Sequence, residues 1–235
     1  FPDDVIGLTG RPVLQADEME TTSRDMTQAA ILAILAVLAL FILFFREIRR
    51  PTLAAVTLVV GVCLTFGVVT VAVGYLSLLT MVFTVMLVGM GMEFGIHLIA
   101  RYKEELAATG SVDESIRNAV ITAGKGNVTG ATTTAAAFYT MMFVDFQGLA
   151  ELGFIAGSGL LLCMVAMNTV LPAMIVVVDR RRPPRIMPPP LRLRVLGFLA
   201  ARPAWTLPFF GLAFVAGLPL IRGVSFDANL LDLQA

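Results

Sequence analysis

The sequence holds two cysteines, one histidine and one tryptophan among 235 residues, and charged side chains make up only 14% of it. Cys63 and Cys163 each fall mid-way along an apolar run, where free cysteine behaves as a small hydrophobe; they form no disulfide framework or metal cluster and report no redox compartment. A single histidine excludes a His-Glu-x-x-His zinc site, and no serine or cysteine stands beside a base. No catalytic site is assembled, and neither an enzyme nor a metal is expected. The formal net charge is zero, so the total points to no nucleic-acid partner and only the distribution of charge can inform. The first residue is Phe1 rather than methionine, and residues 1–25 are polar rather than basic and then apolar. No signal peptide is read there, and the chain reads as a piece of something longer.

What is present is apolar. Hydrophobic residues make up 57% of the chain, and several runs approach or exceed the roughly 18 residues that mark a spanning helix. The expected fold is an all-α polytopic membrane protein with six transmembrane helices and short polar segments at both ends. Residues 1–25, with Asp3, Asp4, Asp17, Glu18, Glu20 and Asp25 and a Gly-Leu-Thr-Gly turn, read as an aqueous segment, the tail of a soluble domain. The first span is expected from Met26 to Phe45 and the second from Thr52 to Val73, started by Pro51, whose missing N–H matters little in a first turn. Gly74-Tyr-Leu-Ser then folds the second and third spans into a tight hairpin.

After Arg101-Tyr-Lys-Glu-Glu, the stretch Ser111-Val-Asp-Glu114 has a capping-box pattern. Val112, Ile116, Ala119, Val120 and Ala123 recur at helical spacing, which predicts an amphipathic helix over 111–123, lying on the membrane surface and ended by Gly124 and Gly126. A hydroxyl-rich fourth span is expected over 128–144 and a fifth over 152–178, kinked at Pro172. Residues 179–203 read as a basic, Pro-rich linker with a short interfacial helix, 204–221 as the sixth span with Trp205 at the interface, and 222–235 as the start of a second soluble domain. The loops after spans one, three and five hold 14 of the 17 Lys and Arg residues. The positive-inside rule assigns that side to the cytoplasm and both chain ends to the periplasm.

Within this frame the run from Ser77 to Ala100 has 24 residues, and Glu93 and His97 are its only ionisable ones. An intramembrane carboxylate is expensive in hydrocarbon and is a functional-site hypothesis by default. Residues four apart share a helix face, so Gly89, Glu93 and His97 form one stripe, Gly91 and Gly95 a second. Glycine stripes admit a neighbouring helix closely; Gly89, Gly91 and Gly95 are taken as helix-packing positions, and Glu93 is expected to face protein. Arg101 lies about 12 Å further along at about 1.5 Å per residue, so Glu93 is nearer the basic face. A proton relay is expected at Glu93, with His97 as shuttle and the hydroxyls of Thr129 and Thr133 solvating the ionised carboxylate. The plainer readings are a permanently protonated carboxyl bonded to a neighbouring helix, a packing histidine, and threonines bonded to their own backbone.

The motif Gly89-Met-Gly-Met-Glu-Phe-Gly-Ile-His97, followed by Arg101-Tyr-Lys-Glu-Glu, resembles the fourth-helix signature of the resistance-nodulation-division (RND) superfamily, in its MMPL and hopanoid-transporter branch. Phe146-Gln-Gly-Leu-Ala-Glu-Leu-Gly153, Leu171-Pro-Ala and Phe226-Asp-Ala-Asn-Leu-Leu-Asp-Leu resemble the same branch. The resemblance implies helices two to seven of a twelve-helix transporter of the bacterial inner membrane, with spans one to five as a sterol-sensing-like bundle. It implies export of a lipid or other hydrophobic substrate towards the outer envelope, driven by the proton gradient and without a bound cofactor. Glu93 stands where that family usually has Asp, and Phe94 where it often has Tyr, so the acid is one methylene longer and one phenol is missing. The implied partners are a second half of the same transporter bearing a matching acid, membrane lipids and the substrate; a homo-oligomer is compatible with this. The alternative is a sterol- or hopanoid-sensing module that binds lipid without pumping.

Overall fold

The computed structural model describes residues 11–74 and 78–181 and scattered positions between 208 and 218. It divides into two units, Phe1–Pro190 and Leu191–Ala235. In the second unit the described positions are helical and expose Phe209, Leu212 and Phe214. The expected N-terminal turn, most of the linker, the interfacial helix and the C-terminal polar segment lie outside the described residues, as does most of the sixth span.

The first unit is all-helical among its described residues. Its α-helices are α1 (Arg11–Phe45), α2 (Arg49–Ala72), α3 (Leu78–Thr109), α4 (Val112–Thr140) and α5 (Gln147–Arg181), with a single 3-10 turn at Met141–Phe143. Among the described residues four stretches are long and apolar enough to cross a membrane: Thr27–Phe45, Arg49–Ala72, Phe83–Thr109 and Gln147–Arg181. The expected fourth span is not among them, because α4 interleaves Lys125, Asn127, three glycines and a run of threonines with its alanines. Glycine provides the stops that α2 and α3 need: Gly74 (φ 83°) and Gly110 (φ 71°) take the left-handed conformation that only glycine adopts without strain.

Residues 11–25, expected as an aqueous segment at the tail of a soluble domain, are helical and form the first turns of α1, continuous with the span. One expectation is corrected here. The 111–123 segment is not a separate surface helix. It begins after Ser111 as expected, although the Ser111 side chain makes no capping bond, but it runs through Gly124 and Gly126 as the first half of α4. A helix-interior glycine costs only about 1 kcal/mol relative to alanine. Here Gly124 is buried beside Asn168 of α5 and Asn127 is tied to two neighbouring helices, so packing outweighs that cost.

Helices α3 and α5 run parallel at the centre, meeting in steps of four residues as Leu87 lies by Gly159, Gly91 by Cys163 and Gly95 by Met167. Helix α2 packs antiparallel against this pair on one side, with Gly61 against Cys163 and Thr65 against Gly159. Helix α4 packs antiparallel on the other, through Asn118 to Glu105 on α3 and Tyr139 to Ser158 on α5. Helix α1 leans on α3 and α2 through Phe41 and Phe45, while Leu32, Leu35, Leu40 and Leu43 stay exposed, as a lipid-facing surface requires. This arrangement brings Arg46, Arg49, Arg101, Lys103, Arg117 and Arg180 to one end of the bundle, which agrees with the charge count along the chain.

At that basic end the structure holds a buried cluster. Arg50 donates from Nε and Nη2 to Asp179 Oδ2 at 3.1 and 2.9 Å, and the Tyr102 hydroxyl donates to the same oxygen at 2.8 Å. Arg50, Tyr102 and Asp179 are 1%, 0% and 3% exposed. The guanidinium lies 5.0 Å from the Tyr102 ring centroid and reaches Glu47 at 2.9 Å, which Lys103 approaches at 3.4 Å. Arg50, expected to act as a topology signal, and Asp179, expected to open the linker, are thus the pins that fix α2, α3 and α5 in register. Arg180 likewise reaches back to Asp113 at 2.7 Å, joining α5 to the start of α4.

Candidate functional site

Glu93 and His97 project from one face of α3 into an open groove of about 680 Å³ between α3 and α4. Their side chains are 66% and 60% exposed, and Glu93 Oε1 lies 3.7 Å from His97 Nε2, the contact that the i,i+4 spacing dictates. Within this chain the Glu93 carboxylate looks out of the five-helix bundle into the groove, not into the packed core. The same stripe continues to Arg101, whose guanidinium is held by Glu104 at 2.9 Å, Glu105 at 2.6 Å and Thr122 of α4 at 3.2 Å. Glu93, His97 and the Arg101–Glu104 pair therefore form a polar track from the interior of a span to the basic end.

The opposite wall comes from α4, through Thr122, Gly126, Gly130 and Thr134, one residue per turn. Gly126 and Gly130 have nothing within 4 Å of where a Cβ would stand, so their bareness keeps the groove wide beside Glu93. The floor is set by Asn127, 4% exposed, whose Nδ2 donates to the Phe94 carbonyl and to Asn168 Oδ1, each at 3.1 Å. One amide thus fixes the height of α4 against α3 at the residue after Glu93, and ties both to α5.

The sequence-predicted residues separate into two groups. Glu93 and His97 are together. Thr129 and Thr133 do not line their groove: Thr129 faces α5, and both hydroxyls donate to α4 carbonyls at 3.0 Å, the backbone-bonded alternative. Thr134, one position on, is the threonine that faces the groove. Gly91 and Gly95 are packing positions as expected, since a Cβ would stand 2.6 Å from Leu58 Cδ1 at the first and 3.2 Å from Met167 Sδ at the second. Gly89 is not; it is exposed on the Glu93 face with nothing within 4 Å. Asn127, Thr134, Gly126 and Gly130 were missed because the helix was divided at Gly124 and Gly126. Read as one helix, the 122-126-130-134 spacing shows the stripe.

Against known proteins, the model of one family, described as the MMPL family, matches residues 3–205. The chain is 29% identical over 244 residues to the hopanoid transporter HpnN of Burkholderia multivorans, covering 98% of this chain and 26% of that protein. It is 30% identical over 191 residues to HpnN of Rhodopseudomonas palustris, covering 77% of this chain and 21% of the relative. The sulfolipid-1 exporter MmpL8 of Mycobacterium tuberculosis is 31% identical over 96 residues, 41% of this chain and 9% of the exporter. The chain spans about a quarter of the length of the hopanoid transporters it matches.

Proposed function

This chain belongs to the MMPL family of the RND superfamily, and from that premise we propose that it supplies one helical bundle of a proton-driven exporter of lipids or other hydrophobic molecules. The observation that carries this reading is Glu93, a carboxylate 66% exposed on a groove beside a span-forming helix, with His97 one turn away. An ionisable group there is expensive against lipid tails, so the groove is read as the face on which the second half of the same transporter packs. Enclosed, Glu93 takes and releases a proton, and His97 with the Arg101–Glu104 pair links it to the basic end. Relatives named as hopanoid and sulfolipid-1 transporters support a lipid-like cargo. The basic end is read as cytoplasmic and the membrane as the bacterial inner membrane.

The test is Glu93→Gln against Glu93→Asp in the intact protein reconstituted in vesicles, with internal pH and lipid transfer followed together under an imposed pH gradient. Glu93→Gln abolishes proton-coupled transfer and Glu93→Asp retains it. Transfer by Glu93→Gln at the native rate refutes the relay; lipid binding without any gradient-driven transfer in the native protein assigns the lipid-sensing alternative instead.

A further inference from the structure

A second groove lies on the other face of α4, against α5, and plays no part in the Glu93 site. It is formed by two contiguous depressions of about 530 and 570 Å³ that share Val120 and Ile121. Its α4 wall is Arg117, Ile121, Lys125 and Thr129, again one residue per turn, all exposed. Its α5 wall runs from Val176 and Pro172 down to Asn168. Among the described residues no carboxylate lies within ion-pair distance of Arg117 or Lys125.

Asn168 holds a donor that the protein does not use. The Phe94 carbonyl can only accept, so Asn127 must turn its amide nitrogen to it, and the second hydrogen of that nitrogen obliges Asn168 to present its oxygen. The orientation of both amides is fixed by that chain, and Asn168 Nδ2 is left buried without a hydrogen-bond partner among the described residues. An unsatisfied buried donor costs about 1–3 kcal/mol. Pro172, four residues on, has no N–H to give the Asn168 carbonyl, so the backbone at the same position lacks its usual helical donor.

Depth identifies what fits. Asp113 meets Arg180 at the basic end. At about 1.5 Å per residue Arg117 lies about 6 Å, and Lys125 and Asn168 both about 18 Å, towards the bundle interior. The groove therefore runs from the headgroup level into the upper hydrocarbon, with cations at two heights, an amide donor at the lower one and apolar walls between. We propose that this α4–α5 groove binds an anionic glycerophospholipid of the leaflet at the basic end. The phosphodiester sits between the Arg117 guanidinium and the Lys125 ammonium, which reaches outward on its four-carbon stem. A side-chain adjustment of Asn168 opens its buried Nδ2 to the groove, an ester carbonyl accepts from it at the depth of Lys125, and the acyl chain runs on past Val128 towards the bundle interior. The bound lipid closes the gap beside Pro172 and braces α4, the helix whose other face walls the Glu93 groove. The site stands whether or not the protein pumps protons.

The test is native mass spectrometry of the intact protein in detergent, titrated with dioleoylphosphatidylglycerol, dioleoylphosphatidylcholine or inorganic phosphate. Arg117→Gln with Lys125→Gln weakens the tightest phosphatidylglycerol binding by roughly tenfold or more, and Asn168→Leu weakens it with both cations in place. Arg46→Gln with Arg49→Gln removes the same charge from the same end, outside the groove, and leaves that binding unchanged. An equal loss in the Arg46/Arg49 pair assigns the effect to general charge and overturns the site. So do undiminished binding by the Arg117/Lys125 pair, equal affinity for phosphatidylcholine, and displacement of the lipid by inorganic phosphate.

Discussion

Replacing Asp179 by alanine strands the Arg50 guanidinium, 1% exposed, without the carboxylate that accepts two of its N–H groups. Breaking one partner out of a buried ion pair costs about 3–5 kcal/mol, because a buried charge remains uncompensated. Part is recovered through Glu47, which already reaches Arg50 at 2.9 Å from a partly exposed position, so the lower half of that range is expected. The loss is local to the basic ends of α2, α3 and α5. Amide hydrogen exchange there, measured by mass spectrometry on the intact protein, accelerates by roughly a hundredfold or more, at about 1.4 kcal/mol per tenfold. Arg50→Met with Asp179→Leu removes both charges and returns most of the protection, since a buried pair is often replaceable by apolar residues of similar volume. Asp113→Ala is the internal control: it breaks an ion pair whose side chains are 60% and 62% exposed, and exchange shifts by no more than about 1 kcal/mol allows. Native exchange rates in Asp179→Ala, or a double variant less protected than either single one, would refute the reasoning.

Gly91→Val forces side-chain atoms into Leu58 and Cys163 and destabilises by about 1–3 kcal/mol, whereas Gly89→Ala, with open space around it, is neutral or stabilising by up to about 1 kcal/mol; thermal unfolding of the two variants side by side separates the packing face of α3 from the Glu93 face. Continuity of α4 is tested at Gly126, where a Cβ meets nothing: Gly126→Ala stabilises slightly, while Gly126→Pro costs about 3 kcal/mol or more. Equal stability of the Gly126→Ala and Gly126→Pro variants would mean that the helix ends there.

Much of this molecule follows from the chain alone. Run length and the clustering of Lys and Arg define the apolar helices and the end to which their basic loops go, because burying an unpaired backbone or a charge in hydrocarbon leaves few other arrangements. The i,i+4 spacing alone puts Glu93 beside His97 and groups Gly91 with Gly95, since helix geometry is local. Which way those faces point is not local. Glu93 faces outward because Gly91 and Gly95, rotated from it around α3, give α2 and α5 their closest approach, and both faces read alike in sequence. The same limit applies to α4, where glycines that read as stops are carried through by an asparagine bonded to residues 33 and 41 positions away. Arg50 and Asp179, 129 residues apart, read as two unrelated surface charges until the antiparallel pairing of α2 with α5 buries them together. Sequence determined which residues share a helix face; only the packing of five helices decided which faces are buried, which are grooves, and which charges meet.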